Sequence, residues 1–167
     1  METLSLEQIY YLCQTIAAGA VVISLIYVGI QVRQNTHAIN LTAAHNISES
    51  FRDSHALIAE NADLCEIWFR GMQDLDSLAG PEKLRFYLYM HNFFELFEHA
   101  YYSWQKQALD PRLWAGIYRR FLTLKTSPGW RGYWESRKAM FHEDFVRYVD
   151  EVLMPAASPA DYKLAGT

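Results

Sequence analysis

Cysteine is nearly absent from this 167-residue chain: Cys13 and Cys65 are the only two, too few for a disulfide framework. Cys13 falls in a long apolar run and Cys65 in the polar-patterned remainder, so the two are not expected to pair, and both read as small apolar residues. Glycine and proline are also scarce, at 8 and 5 residues, which disfavours turn-rich sheet architectures. No segment alternates with a period of two, and none repeats. The net charge of −4 gives no global reason to expect nucleic acid as a partner. Missing too are a nucleophile elbow, an activated cysteine setting and a phosphate loop. Residues 127–132 (Ser-Pro-Gly-Trp-Arg-Gly) lack the spacing of the last.

Basic residues are absent from the first 32 positions, since all 15 Lys and Arg begin with Arg33. That start, with Glu2 and Glu7 instead, does not resemble the charged opening of a secretory signal, so cleavage is not expected. Residues 8–32 carry no charge, and residues 16–30 (IAAGAVVISLIYVGI) are almost wholly apolar. At about 1.5 Å per helical residue the run spans a hydrocarbon core of about 30 Å. Tyr10 and Tyr11 at one end and Tyr27 near the other suit the headgroup level. Ser5 followed by Gln8 has the spacing of a capping box, with Leu4, Leu6 and Ile9 at the outer interface. The bias of Lys and Arg to one side predicts an outside N-terminus and a cytoplasmic remainder in a bacterial inner membrane. Only Arg33 and, marginally, Arg52 lie close enough to the span to weigh in that rule.

At heptad spacing, Gln14, Ala17, Val21, Ser24, Val28 and Gln31 share one line of the span, opposite Ile16, Ile23, Tyr27 and Ile30. Lipid does not satisfy Gln or Ser, and small or polar residues promote helix association in membranes. The expected partner is therefore a second copy of the chain, in a parallel homo-oligomer. The same seam in a ring of chains would line a pore, with Gln14, Ser24 and Gln31 facing water.

Half of the residues are apolar and 15% aromatic, with five Trp and eleven Tyr, enough to bury a core. The expected fold is all-α: a transmembrane helix within residues 1–35, a cytoplasmic bundle of about four to six helices over residues 36–154, and a frayed tail over 155–167. Ala44, Ile47, Phe51 and Ile58 recur at helical spacing, and residues 62–72 form a short helix before a loop at 73–80. Pro81 opens a helix to about Leu109 with Phe86, Met90, Phe93, Phe97, Ala100 and Trp104 inward, flanked by Tyr87, Phe94 and Tyr101. Asp110 and Pro111 start another, carrying Leu113, Trp114, Ile117, Phe121 and Leu124. Residues 127–129 (Ser-Pro-Gly) break it, and helices over 130–139 and 142–154 close the domain.

Two sets of side chains in this domain bear on chemistry. His45 and Glu49, and His91 with Glu95 and Glu98, stand at helical spacing, and two such pairs face to face hold divalent metals in helical-bundle enzymes. On the helical wheel, however, His91, Glu95 and Glu98 lie off the aromatic face, which reads as solvated or interchain polar surface, and no cofactor is expected. Arg119, Arg120, Lys125, Arg131, Arg137 and Lys138, opposed only by Glu135 and interleaved with Trp130, Tyr133 and Trp134, suit a layer of anionic headgroups. The competing reading is a solvated basic face over buried tryptophans.

The run VVISLIYVGIQVRQNT (residues 21–36) resembles the opening of a widespread group of small, uncharacterised bacterial membrane proteins that pair such a segment with a helical domain. Phe97-Glu98, Tyr101-Tyr102, Leu109-Asp110, Trp114, Pro128-Gly129 and Trp134 extend the similarity over most of residues 10–153. The resemblance implies a bacterial membrane setting and carries no activity. The expectation for function is thus a non-enzymatic, homo-oligomeric scaffold or sensor-like module, with a small channel or a metal-dependent enzyme as alternatives.

Overall fold

Each of three prolines falls where a helix begins and a missing N–H costs nothing. In the computed structural model, which describes residues 5–157, Pro81 lies in the first turn of α3 (Gly80–Gln105), Pro111 opens α4 (Pro111–Leu124) and Pro128 opens α5 (Pro128–Arg137). They follow α1 (Leu6–Glu60) and α2 (Ala62–Gln73), and α6 (Glu143–Tyr148) comes last, so the described residues are all-α with six α-helices and no strand. The capping box read at Ser5 and Gln8, the interfacial positions Leu4 and Ile9, Cys13 and residues 158–167 lie outside the described residues or side chains.

The chain divides into two units, residues 1–40 and 41–167. In the first, the described side chains from residue 5 to 39 are all exposed, among them Ile23 at 69% and Leu25 at 67%. One helix here is long and apolar enough to cross a membrane, its apolar 18-residue window having no buried share. α1 does not stop at the end of this run but continues to Glu60 without a break.

The second unit is built around aromatic rings. Phe86, Phe94, Phe97, Phe121, Trp130, Trp134 and Phe145 are wholly buried. Phe97 stacks on Phe121 with ring centroids 3.5 Å apart, and Phe94 stacks on Trp134 at 5.1 Å. Such pairs add about 0.5–1.5 kcal/mol each beyond their buried area. α3 therefore presents a broader inward face than the expected stripe: Phe94 and Tyr101, assigned to its flanks, are buried, whereas Trp104 is only half-buried. On α4, Leu122 is buried and Leu113 is exposed.

Local chemistry sets the boundaries. Asn61 separates α1 from α2, its side-chain oxygen accepting from Leu64 N at 2.9 Å. Residues 73–80 hold a short 3-10 turn, Leu75–Ser77, capped by Asp74 accepting from Asp76 N. Ahead of α3, Ala79 has no capping side chain, and the Glu82 carboxylate instead reaches back to the Ala79 N–H at 2.9 Å. That bond, with the Arg70 guanidinium, holds the Glu82 carboxyl below its ordinary value. α3 ends at Gln105, four residues before the expected Leu109, because Gln107 turns the chain with a φ of 57° and Leu109 folds into the core. Past α6, a π-type turn, Val149–Leu153, buries Val149 and Leu153.

Two features beyond local pattern fix the domain. Gly129, in the first turn of α5, lies against the backbone of α2, where an added Cβ would come within 1.9 Å of the Gly71 carbonyl oxygen. Lys125, buried just past α4, donates to the carbonyl oxygens of Leu153, Met154 and Ala156, neutralising a helix end that would otherwise leave its carbonyls unpaired. The last of these bonds ties Ala156, just past Pro155, to the end of α4. Burial, then Arg131 nearby, pushes the Lys125 ammonium below its ordinary value.

Gly129→Ala is expected to lower the unfolding free energy by about 2 kcal/mol or more through overpacking. Gly116→Ala on α4, where an added Cβ meets nothing within 4 Å, should be neutral or gain up to about 1 kcal/mol. Thermal unfolding of the full chain in detergent, with near-ultraviolet circular dichroism as the readout, distinguishes the two.

Candidate functional site: an apolar span and a basic-rimmed cavity

Gln14, Ala17, Val21, Ser24, Val28 and Gln31 all lie on the uninterrupted α1, so they form one continuous stripe, and all six are exposed. The Ser24 hydroxyl donates to the Ala20 carbonyl of its own helix at 2.8 Å. Its proton is already committed, which leaves the oxygen lone pairs for any neighbour.

The two histidine–carboxylate sets do not converge. His45 and Glu49 approach to 3.8 Å in the last third of α1, with Glu49 held at 2.9 Å by Arg52. On α3, His91 lies 3.5 Å from Glu95, but its Nδ1 is 3.1 Å from the Tyr133 hydroxyl and its ring packs on Phe141. Glu98 turns elsewhere and accepts from the His142 N–H at 2.9 Å, capping α6. Among the described residues no three His, Cys, Asp or Glu side chains form a metal-holding group.

The basic segment separates into different roles. Trp130 and Trp134, named as candidates for headgroup contact, are wholly buried, as the competing reading of a basic face over buried tryptophans had them, with the first turn of α5 lying against α2 at Gly129. The Trp134 indole N–H donates to Asp150 at 2.7 Å, and Lys138 bridges Asp150 and Glu135. Arg137 lies over the Tyr87 ring, and Arg131 donates to the Lys125 carbonyl. Arg119 and Arg120 are exposed and have no carboxylate partner among the described residues. Arg119 Nε donates to the Ala115 carbonyl, and the Arg120 guanidinium lies 5.9 Å from the Phe51 ring centroid.

These two arginines border a cavity of about 620 Å³ among α1, α2, α3, α4 and α5 that composition and motif gave no reason to expect. Its walls are mainly apolar, with Ile58, Trp68, Met72, Met90, Phe93, Leu124 and Trp130 among them, and the exposed Cys65 is on its edge. The volume lies within the range of about 300–1,000 Å³ common to small-molecule sites. Trp130 Nε1 is buried without an acceptor among the described residues. A second hollow of about 390 Å³ shares His55 and Arg120 with the first and adds Arg52 and Arg112. Among the described residues no Asp or Glu lines it. The individual arginines and His55 were visible in the sequence, but their common hollow arises from the packing of α1 on α4.

No protein-family model matches the chain, and no curated protein or solved structure matches it either.

Replacing Trp134 with Phe is expected to cost about 2 kcal/mol of stability by removing a hydrogen bond to a charged acceptor. Binding to anionic vesicles should stay unchanged, because the indole is a core group. Chemical denaturation and vesicle co-sedimentation measure the two effects.

Proposed function

We propose that the protein is a single-pass, non-enzymatic module of the bacterial inner membrane, of the scaffold or sensor-like kind, anchored through α1 as a parallel homo-oligomer. The observation that carries this reading is the run of exposed aliphatic side chains on α1, Val22, Ile23, Leu25, Ile26, Val28 and Ile30, each more than half exposed. Apolar area left in water costs about 25 cal/mol per Å², and a contiguous surface of this kind marks a membrane or protein contact. A helix satisfies its own backbone, so it is also one of the few structures that hydrocarbon accepts.

Orientation rests on the distribution of charge. With no Lys or Arg before Arg33, the domain belongs on the cytoplasmic side. Oligomerisation rests on the stripe, whose Ala17 and Ser24 permit close approach while Gln14 and Gln31 gain partners across an interface that lipid does not provide. The resemblance of residues 21–36 to small bacterial membrane proteins supports the same setting.

In membranes from expressing cells, the chain should resist alkaline extraction, and Cys65 should react with an impermeant maleimide in inside-out but not right-side-out vesicles. With Cys65 and Cys13 replaced, Ser24→Cys should give a disulfide-linked dimer under oxidant and Ile23→Cys much less. Labelling from the outside, or equal cross-linking at both positions, would contradict the orientation or the seam, respectively.

A further inference from the structure

We infer that the cavity beside Arg119 and Arg120 is a binding site for a single-chain amphiphile with a phosphate head, the chain lying on the apolar walls and the phosphate at the edge formed by Arg119 and Arg120, where the cavity meets the adjoining basic hollow. The two hollows have opposite chemistry and meet at His55 and Arg120, which line both. One has room and grease for an acyl chain, with Met72, Met90 and Phe93 at its core-facing wall. The other presents Arg52, Arg112 and Arg120.

Charge accounting selects the head. Arg52 is already paired with Glu49 and Asp53, and Arg112 with Asp110, while Arg119 and Arg120 have no carboxylate among the described residues. Two unmatched guanidinium groups correspond to the charge of about −1.5 to −2 on a phosphate monoester near neutral pH, rather than to the single charge of a carboxylate. Arginine also matches phosphate oxygens two at a time. A neutral or zwitterionic head leaves that charge unmet, and a double-chain lipid brings more hydrocarbon than one cavity of this size holds.

The test uses the full chain carrying Cys13→Ser, in nanodiscs of phosphatidylcholine, with alkylation of Cys65 by N-ethylmaleimide as the readout. Cys65 is exposed on the cavity edge, so an occupant slows its reaction. Oleoyl lysophosphatidic acid should slow alkylation saturably, and Arg120→Gln or Arg119→Gln should each weaken its apparent affinity about tenfold, the scale of one lost charge-assisted hydrogen bond. Oleoyl lysophosphatidylcholine, with the same chain, should have little effect. Equal protection by the two lysolipids, or protection indifferent to both arginine variants, would overturn the site. Protection by oleate as strong as by lysophosphatidic acid would overturn the phosphate head. Protection by phosphatidylglycerol in the bilayer alone would assign the arginines to the membrane surface, and protection that rises with protein concentration without added lipid would assign the cavity to a second copy. Both of these outcomes overturn the proposal. None depends on which way the chain crosses the membrane.

Discussion

Water penalises a helix that is apolar on every side, and hydrocarbon does not. The membrane reading of this chain depends on that asymmetry, because α1 carries its aliphatic side chains bare between Ile16 and Val32. Burying a single Ile or Leu is worth about 1.5–3 kcal/mol, so the exposed run between Ile16 and Val32 represents a driving force far larger than the net stability of an ordinary domain. The same reasoning gives the stripe from Gln14 to Gln31 its meaning. In water those residues would be its least costly surface, whereas in lipid they are the ones that need a partner.

The helical domain answers a different problem, the packing of many large rings into one core. Aromatic side chains fill volume in coarse pieces, and the fit is completed by residues with almost no volume. Gly129 lets α5 approach the backbone of α2 at Gly71, Gly71 in turn leaves room for the Phe86 ring of α3, and Trp130 and Trp134 are wholly buried. Lys125 adds a second tie by holding three carbonyls at and just past the turn Val149–Leu153. Beside this packing a cavity remains, with Arg119 and Arg120 on its rim.

Much of this architecture was legible in the residues. The prolines at 81, 111 and 128 mark helix starts because their chemistry is local, and the stripe from Phe86 to Ala100 marks a buried face because helical period requires no knowledge of a partner. What the sequence withheld is tertiary. Residues 127–129 read as a break, since nothing local reveals that Gly129 meets the backbone at Gly71, 58 positions away. Trp130 and Trp134 sit among basic residues, so the sequence left headgroup contact and burial both open, and the crossing at Gly129 decides for burial. Glu98 has the spacing of a metal ligand, yet its partner, the His142 N–H, lies on another helix. The cavity was invisible for the same reason, being lined from segments that only the fold brings together.

Spin labelling of single-cysteine variants, with Cys13 and Cys65 replaced, measures most directly whether α1 lies in lipid. Labels at Ile23 and Ile26 in reconstituted bilayers should be accessible to oxygen and shielded from a water-soluble nickel complex, with labels at Ser5 and Asn40 showing the reverse. If the nickel complex reaches Ile23 and Ile26 as readily as it reaches Asn40, α1 lies in water or on protein, and the membrane account is wrong.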